Sequence, residues 1–116
     1  MGPEAKFYKY FKSKTPEIIY TRIENTSSLG TPDALCYNKN NFYFTLEFKV
    51  SKRNKVSLSA HQIAYHYKHP ENSFILVMTP EACGLKLYEC KRILELVTSG
   101  LKLAACGLWL ESCRFK

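Results

Sequence analysis

Between Phe42 and Val50 apolar and polar residues alternate without a break. Phe42, Phe44, Leu46, Phe48 and Val50 fall on one side, and Tyr43, Thr45, Glu47 and Lys49 on the other. Side chains two apart in a strand share a face, so this run reads as a half-buried strand with Glu47 and Lys49 projecting together. Upstream, Asp33 opens the run Asp33-Ala-Leu-Cys-Tyr37, and Asn38-Lys39-Asn40-Asn41 has the composition of a hairpin turn. If Asn38 pairs with Phe42, Asp33 stands opposite Glu47. Cross-strand neighbours on one face are ~5 Å apart at their β-carbons, close enough to share a metal ion. A slip of one residue would send Asp33 to the other face.

The remaining order is alternating helix and strand. Residues 3–13 read as a basic amphipathic helix entered through Pro3, with Phe7, Tyr8 and Phe11 on one face. Thr15-Pro16 ends it, and 18–24 reads as a strand. A Ser/Gly loop over 25–31 then leads to Asp33, and its Ser27, Ser28 and Thr31 hydroxyls suit phosphate oxygens as well as turns. Ser51-Lys52-Arg53-Asn54-Lys55 forms a basic loop or hairpin suited to nucleic-acid phosphates. Ser57-Leu-Ser59 caps a helix of about ten residues ending near His69-Pro70. Gln62 lies one turn before Tyr65 and His66, so that face can turn toward the carboxylate strand.

Residues 73–78 are continuously apolar after Ser73, as in a strand buried on both faces. A strand over 85–89, a helix over 91–98 stopped by Gly100, and a final strand or docking segment over 107–111 complete the order. The expected fold class is α/β, a single domain over 1–116 with a central mixed sheet flanked by helices. His61, His66 and His69 diverge along their helix, which predicts surface or phosphate-contacting histidines rather than a zinc site. Cys83, Cys90, Cys106 and Cys113 are spaced too widely for a zinc knuckle and predict buried free thiols.

The net charge of +7, from 17 Lys and Arg against 10 Asp and Glu, favours an anionic partner such as nucleic acid. No apolar run approaches the ~18 residues of a membrane span. The N-terminus lacks an apolar leader, so the expected location is intracellular, in a microbe or a virus-infected host cell.

Gly30-Thr31-Pro32-Asp33, then Glu47-Phe48-Lys49, then Gln62 on a helix resembles the PD-(D/E)xK nuclease superfamily. The small size resembles its VRR-NUC and Holliday-junction-resolvase branch, over roughly residues 4–79. The resemblance implies a restriction-endonuclease-like fold and Mg²⁺, with Mn²⁺ able to substitute. It implies that Asp33, Glu47 and the carbonyl of Phe48 hold the metal, that Lys49 positions the attacking water, and that Gln62 supports the site. A further glutamate from the first helix is implied, with Glu4 in place for it and Glu17 and Glu24 as competitors. The chemistry agrees: hydrolysing an anionic phosphodiester at neutral pH needs a cation to offset charge and acidify a water. Mg²⁺ takes oxygen ligands while keeping several waters.

The expected activity is a Mg²⁺-dependent DNA endonuclease cutting branched DNA as a homodimer, with Lys52, Arg53, Lys55 and Ser28 contacting nucleic acid. Tyr8 and Phe11, and Leu108, Trp109 and Leu110, are candidate dimer-interface residues, with core packing as their other role. The alternatives are a homing or restriction-type enzyme and a non-catalytic nucleic-acid-binding domain of the same fold.

Overall fold

The computed structural model describes residues 2–23, 30–53, 55–79 and 84–101, with the backbone of 108–109. Helix α1 (Pro3–Lys14) starts with Pro3, whose missing amide has no helical partner to lose. It is followed by β1 (Ile19–Arg22), β2 (Ala34–Tyr37), β3 (Tyr43–Val50) and α2 (Ala60–Lys68). Then come β4 (Ser73–Thr79), β5 (Gly84–Glu89), a 3-10 turn (Cys90–Arg92), α3 (Ile93–Thr98) and β6 (Leu108–Trp109). The strands lie in chain order in one six-stranded sheet. Among the described strands only β3 and β4 are parallel neighbours, and the crossover that a parallel pair requires is supplied by α2. The expected α/β class with a mixed sheet is what forms.

The β2–β3 hairpin has the register read from the sequence, Tyr37 against Tyr43 and Ala34 against Leu46. Its turn chemistry fixes this. The Asn38 side-chain oxygen accepts from the amides of Asn40 and Phe42 at 2.9 and 3.1 Å, and Asn38 N–H donates to Phe42 O at 3.1 Å. Asn41 takes the left-handed conformation (φ 62) that asparagine tolerates better than most residues. Phe42 is therefore a turn residue, 52% exposed, and not part of the strand's core face as its alternation suggested.

Alternation sends Phe44, Leu46 and Phe48 to one face, where they pack with Ala34, Cys36, Leu76 and Leu87 under Phe7 and Phe11 of α1. Phe48 is met edge-on by Phe7, Tyr8 and Phe11 at centroid distances of 5.4, 5.1 and 6.0 Å. Phe11 is thus core, and Tyr8 packs half-buried against it, the core role that was the alternative to an interface. The opposite face of β4 and β5 is covered by α2, α3 and their flanks, burying Val56, Leu58, Ile75, Val77, Tyr88 and Leu96. The first strand is shorter than expected, and helix 91–98 begins with the 3-10 turn. Cys36 and Cys90 are buried free thiols. Cys83, Cys106, Cys113 and Leu110, and the side chains of Leu108 and Trp109, lie outside the described residues. No described helix is long and apolar enough to cross a membrane.

Candidate active site

Glu47 lies in the middle strand region, flanked by β2 and β4, and is only 3% exposed. Strand parity turns it with Lys49 toward the face that α2 crosses. The β2–β3 ladder ends at Ala34–Leu46, and one step further puts Asp33 opposite Glu47. Asp33 holds that position through its amide, which donates to Leu46 O at 3.0 Å. Its Oδ2 accepts the amide of Phe48 at 2.8 Å, taking the place of a strand partner. A residue's C=O leaves a strand on the same side as its N–H, so the Phe48 carbonyl projects beside Asp33, past the last β2–β3 pair.

Gln62 reaches the site through the cap of α2. Ser59 is the N-cap, and its Oγ accepts the Gln62 amide at 3.1 Å while Gln62 Oε1 accepts the Ser59 amide at 2.9 Å. This reciprocal capping box fixes which end of the side-chain amide is oxygen. Its Nε2 is left to donate to Glu47 Oε2 at 3.3 Å. Lys49 Nζ stands 4.0 Å from the same oxygen.

Gly30 joins the two halves of the site. It adopts φ +82, and a β-carbon there would lie 2.3 Å from His61 O and 2.5 Å from His61 C. Only glycine permits the loop carrying Asp33 to rest against the backbone of the turn carrying Gln62. The sequence reading noted this glycine as part of a motif but missed its packing role. Its position three residues before Asp33, at the end of a loop, was the available signal.

Burial, and after it the charge of Asp33, pushes the Glu47 carboxyl up to about 8, with Lys49 opposing and Glu4 adding. Glu47 Oε1 is buried with no hydrogen-bond partner. A buried carboxylate facing a second carboxylate is unfavourable unless a proton or a cation joins them. The raised Glu47 carboxyl holds a proton toward Asp33 when no metal is bound, and a divalent cation can take that proton's place. Two carboxylates and a backbone carbonyl form a hard oxygen set of the kind Mg²⁺ accepts while keeping waters. The residues present fit that ion.

Among the described residues no three Asp, Glu, His or Cys side chains converge on one point. Glu4, exposed in the first turn of α1, is close enough to raise Glu47 but forms no three-acid cluster with the pair. Glu17 is exposed ahead of β1, and Glu24 lies outside the described residues. Beyond β3, Lys52 and Lys55 pair as an isolated bridge, with Arg53 at φ 54 in the turn between them. All three are exposed. A cleft of about 360 Å³ separates Lys52 and Ser51 from Glu4 at the start of α1. Ser28, expected at the nucleic-acid surface, lies outside the described residues.

His66 corrects an expectation. It is fully buried, not on the surface, because it follows Gln62 by four residues on the inward face of α2. Its Nδ1 lies 2.9 Å from Cys90 Sγ. Burial pulls its pKa down to about 4. His61 and His69 are exposed, and His69 stacks on Tyr65 with centroids 4.0 Å apart.

No protein-family model matches the chain, and no curated protein is significantly similar to it in sequence. Among solved structures, its fold is similar to that of Archaeoglobus fulgidus Hjc, a Holliday junction resolvase from an archaeal hyperthermophile. The TM-score is 0.58 and the identity 16%, over 75% of this chain and 77% of that one. At that identity the similarity is one of fold: a mixed sheet flanked by helices, arranged as in that protein.

Proposed function

We propose that this chain is a metal-dependent DNA endonuclease whose substrates are branched, such as a four-way junction. The observation that carries the reading is the buried Glu47 carboxyl set opposite Asp33, with no fixed donor at Oε1 and with Lys49 and Gln62 gathered at Oε2. The resolvase-like fold and the +7 charge support it.

Mg²⁺, or Mn²⁺ in its place, would be held by Asp33, Glu47 and the Phe48 carbonyl, and supplies when bound a positive charge for the phosphate and a more acidic water. Gln62 restrains Oε2 of Glu47, so the carboxylate does not swing away from Asp33. Lys49, beside that same oxygen, orients the attacking water and offsets the negative charge that builds on the phosphate oxygens. Glu4 adds negative charge at the rim. Lys52, Arg53 and Lys55 hold flanking phosphates, a contact that positions the strand without reading bases.

The test is incubation with supercoiled plasmid and with a four-way junction, in Mg²⁺ or in EDTA. Metal-dependent cutting that prefers the junction is expected. Asp33→Asn and Glu47→Gln should abolish it while DNA binding survives. Tight binding with no cutting in Mg²⁺ or Mn²⁺ would make the chain a non-catalytic module of this fold. Cutting at one defined plasmid sequence would make it a site-specific enzyme.

A further inference from the structure

Among the described residues, helices cover the sheet face that bears Glu47 over only half its width. Over β4 and β5 its side chains, Ile75, Val77 and Tyr88, are buried. Over β1, β2 and β3 the same face is open: Ile19 is 63% exposed and Tyr43 59%, with Leu35 at 36%. The register orders this surface in rows leading away from the carboxylates. Asp33 opposite Glu47 comes first, then Thr21, Leu35 and Thr45, then Ile19, Tyr37 and Tyr43. Tyr43 and Glu47 sit on one strand four residues apart, ~13 Å. The Tyr37 and Tyr43 rings lie 4.4 Å apart, and the Tyr37 hydroxyl donates to Asn41 Oδ1 at 2.8 Å. That bond helps hold the ring in place before any ligand arrives.

Charge decides what suits this surface. On β1–β3 its rows carry no acidic side chain other than Asp33 and Glu47. Exposed Lys39 flanks the tyrosine end, where exposed Glu17 and Glu71 also stand, and half-buried Lys49 flanks the other. A second copy of the chain brings the same +7 charge, whereas a polyanion brings the opposite one. The exposed Tyr43 ring, the half-buried Tyr37 ring beside it and the chain's positive charge match a nucleic-acid strand whose bases are unpaired. Bases stack on aromatic side chains with little regard to sequence, and a duplex interior offers no free base face for this.

We propose that the open half of the sheet, centred on Tyr43 and Tyr37, is a stacking platform for unpaired bases beside the scissile phosphate. The proposal rests on the nuclease reading and adds to its branched substrates a preference for those with unpaired nucleotides beside the branch, such as forks or flaps.

The experiment uses the Asp33→Asn chain in EDTA with a forked duplex whose single-stranded arm carries 2-aminopurine, alongside a fully paired duplex. Wild-type cleavage of the fork and of a four-way junction is measured in parallel. The fork should bind at least tenfold more tightly than the duplex, with the 2-aminopurine fluorescence quenched by ring stacking. Adding Tyr43→Ala should weaken fork binding about tenfold and relieve the quench, Tyr37→Ala should act in the same direction, and Tyr43→Phe should preserve both signals. Thermal melting confirms that the variants fold. Unchanged fork affinity and quench in Tyr43→Ala, with wild-type cutting intact, overturns the platform and leaves the nuclease reading standing. Loss of a dimer in Tyr43→Ala without any change in DNA affinity assigns the face to a second copy and also overturns it. Absence of both DNA binding and cutting overturns platform and nuclease together.

Discussion

Glu47 and His66 give the metal-free protein opposite pH dependences. The Glu47 carboxyl is raised from 4.5 to about 8, first by burial and then by Asp33. Between those values the native state holds a proton that the unfolded chain has lost, so stability falls as pH rises. His66 is lowered from 6.5 to about 4 by burial. In that window the unfolded chain binds the extra proton, so stability rises with pH. The two oppose each other from 4.5 to 6.5, and above 6.5 the Glu47 slope is left. Metal-free melting temperature should therefore decline from about 6.5 toward 8. Glu47→Gln, which keeps the shape but cannot ionise, should flatten that decline, and a decline of full size in the variant would contradict the assignment. Lys49→Ala separates a different pair of roles. Cleavage should drop by two orders of magnitude or more, the scale on which a single charge-stabilising group acts. Calorimetry should find Mg²⁺ still bound, and a collapse of metal affinity would move Lys49 into the metal's own support.

At the level of elements, the site is a hairpin and a helix held together by one close approach. The hairpin was legible because its determinants are local: strict alternation over the strand, and asparagines whose side chains close the turn in one register. Asp33 and Glu47 could be paired from sequence for that reason. The capping box was half legible, since Ser57-Leu-Ser59 marked the helix start but not the second use of Gln62. What escaped was the placement of α2 over the loop. The packing of Gly30 on His61 depends on contact between distant segments, which no local period records, whereas the burial of His66 was implicit in its four-residue spacing from Gln62. Gly30→Ala tests this coupling. Its β-carbon would meet backbone atoms at 2.3 and 2.5 Å, and backbone cannot rotate away as a side-chain tip can. Overpacking of this sort costs about 1–3 kcal/mol, and the strained φ adds to it. Urea unfolding should show the loss, and cleavage should fall further than the lost folded fraction explains, because Asp33 moves relative to Glu47. Activity that merely tracks the folded fraction would mean that the approach serves stability alone.

For the whole molecule, the decisive quantities are charge and symmetry. The +7 charge was read directly from composition, and its local expression is the turn holding Lys52, Arg53 and Lys55 just past Lys49. Each phosphate neutralised releases counterions, contributing ~0.9 to the slope of log affinity against log salt. Removing Lys52 and Lys55 together should lower that slope by about two if each meets one phosphate. An unchanged slope would place the DNA elsewhere. Symmetry follows from the substrate. Resolving a four-way junction takes two cuts, whereas one 13.4 kDa chain has a single Asp33–Glu47 pair. A two-fold dimer is the simplest assembly that presents two such pairs to a two-fold junction. The α1 face with Phe7 and Phe11 is spent on the core, so that face is not the interface. A dimer that resolves junctions as proposed would use other surface and leave both basic turns facing one side. Light scattering on junction DNA should report two chains per junction, and both nicks should appear within the lifetime of one complex. One chain per junction, with a single nick per binding event, would make this a nicking enzyme and remove the dimer.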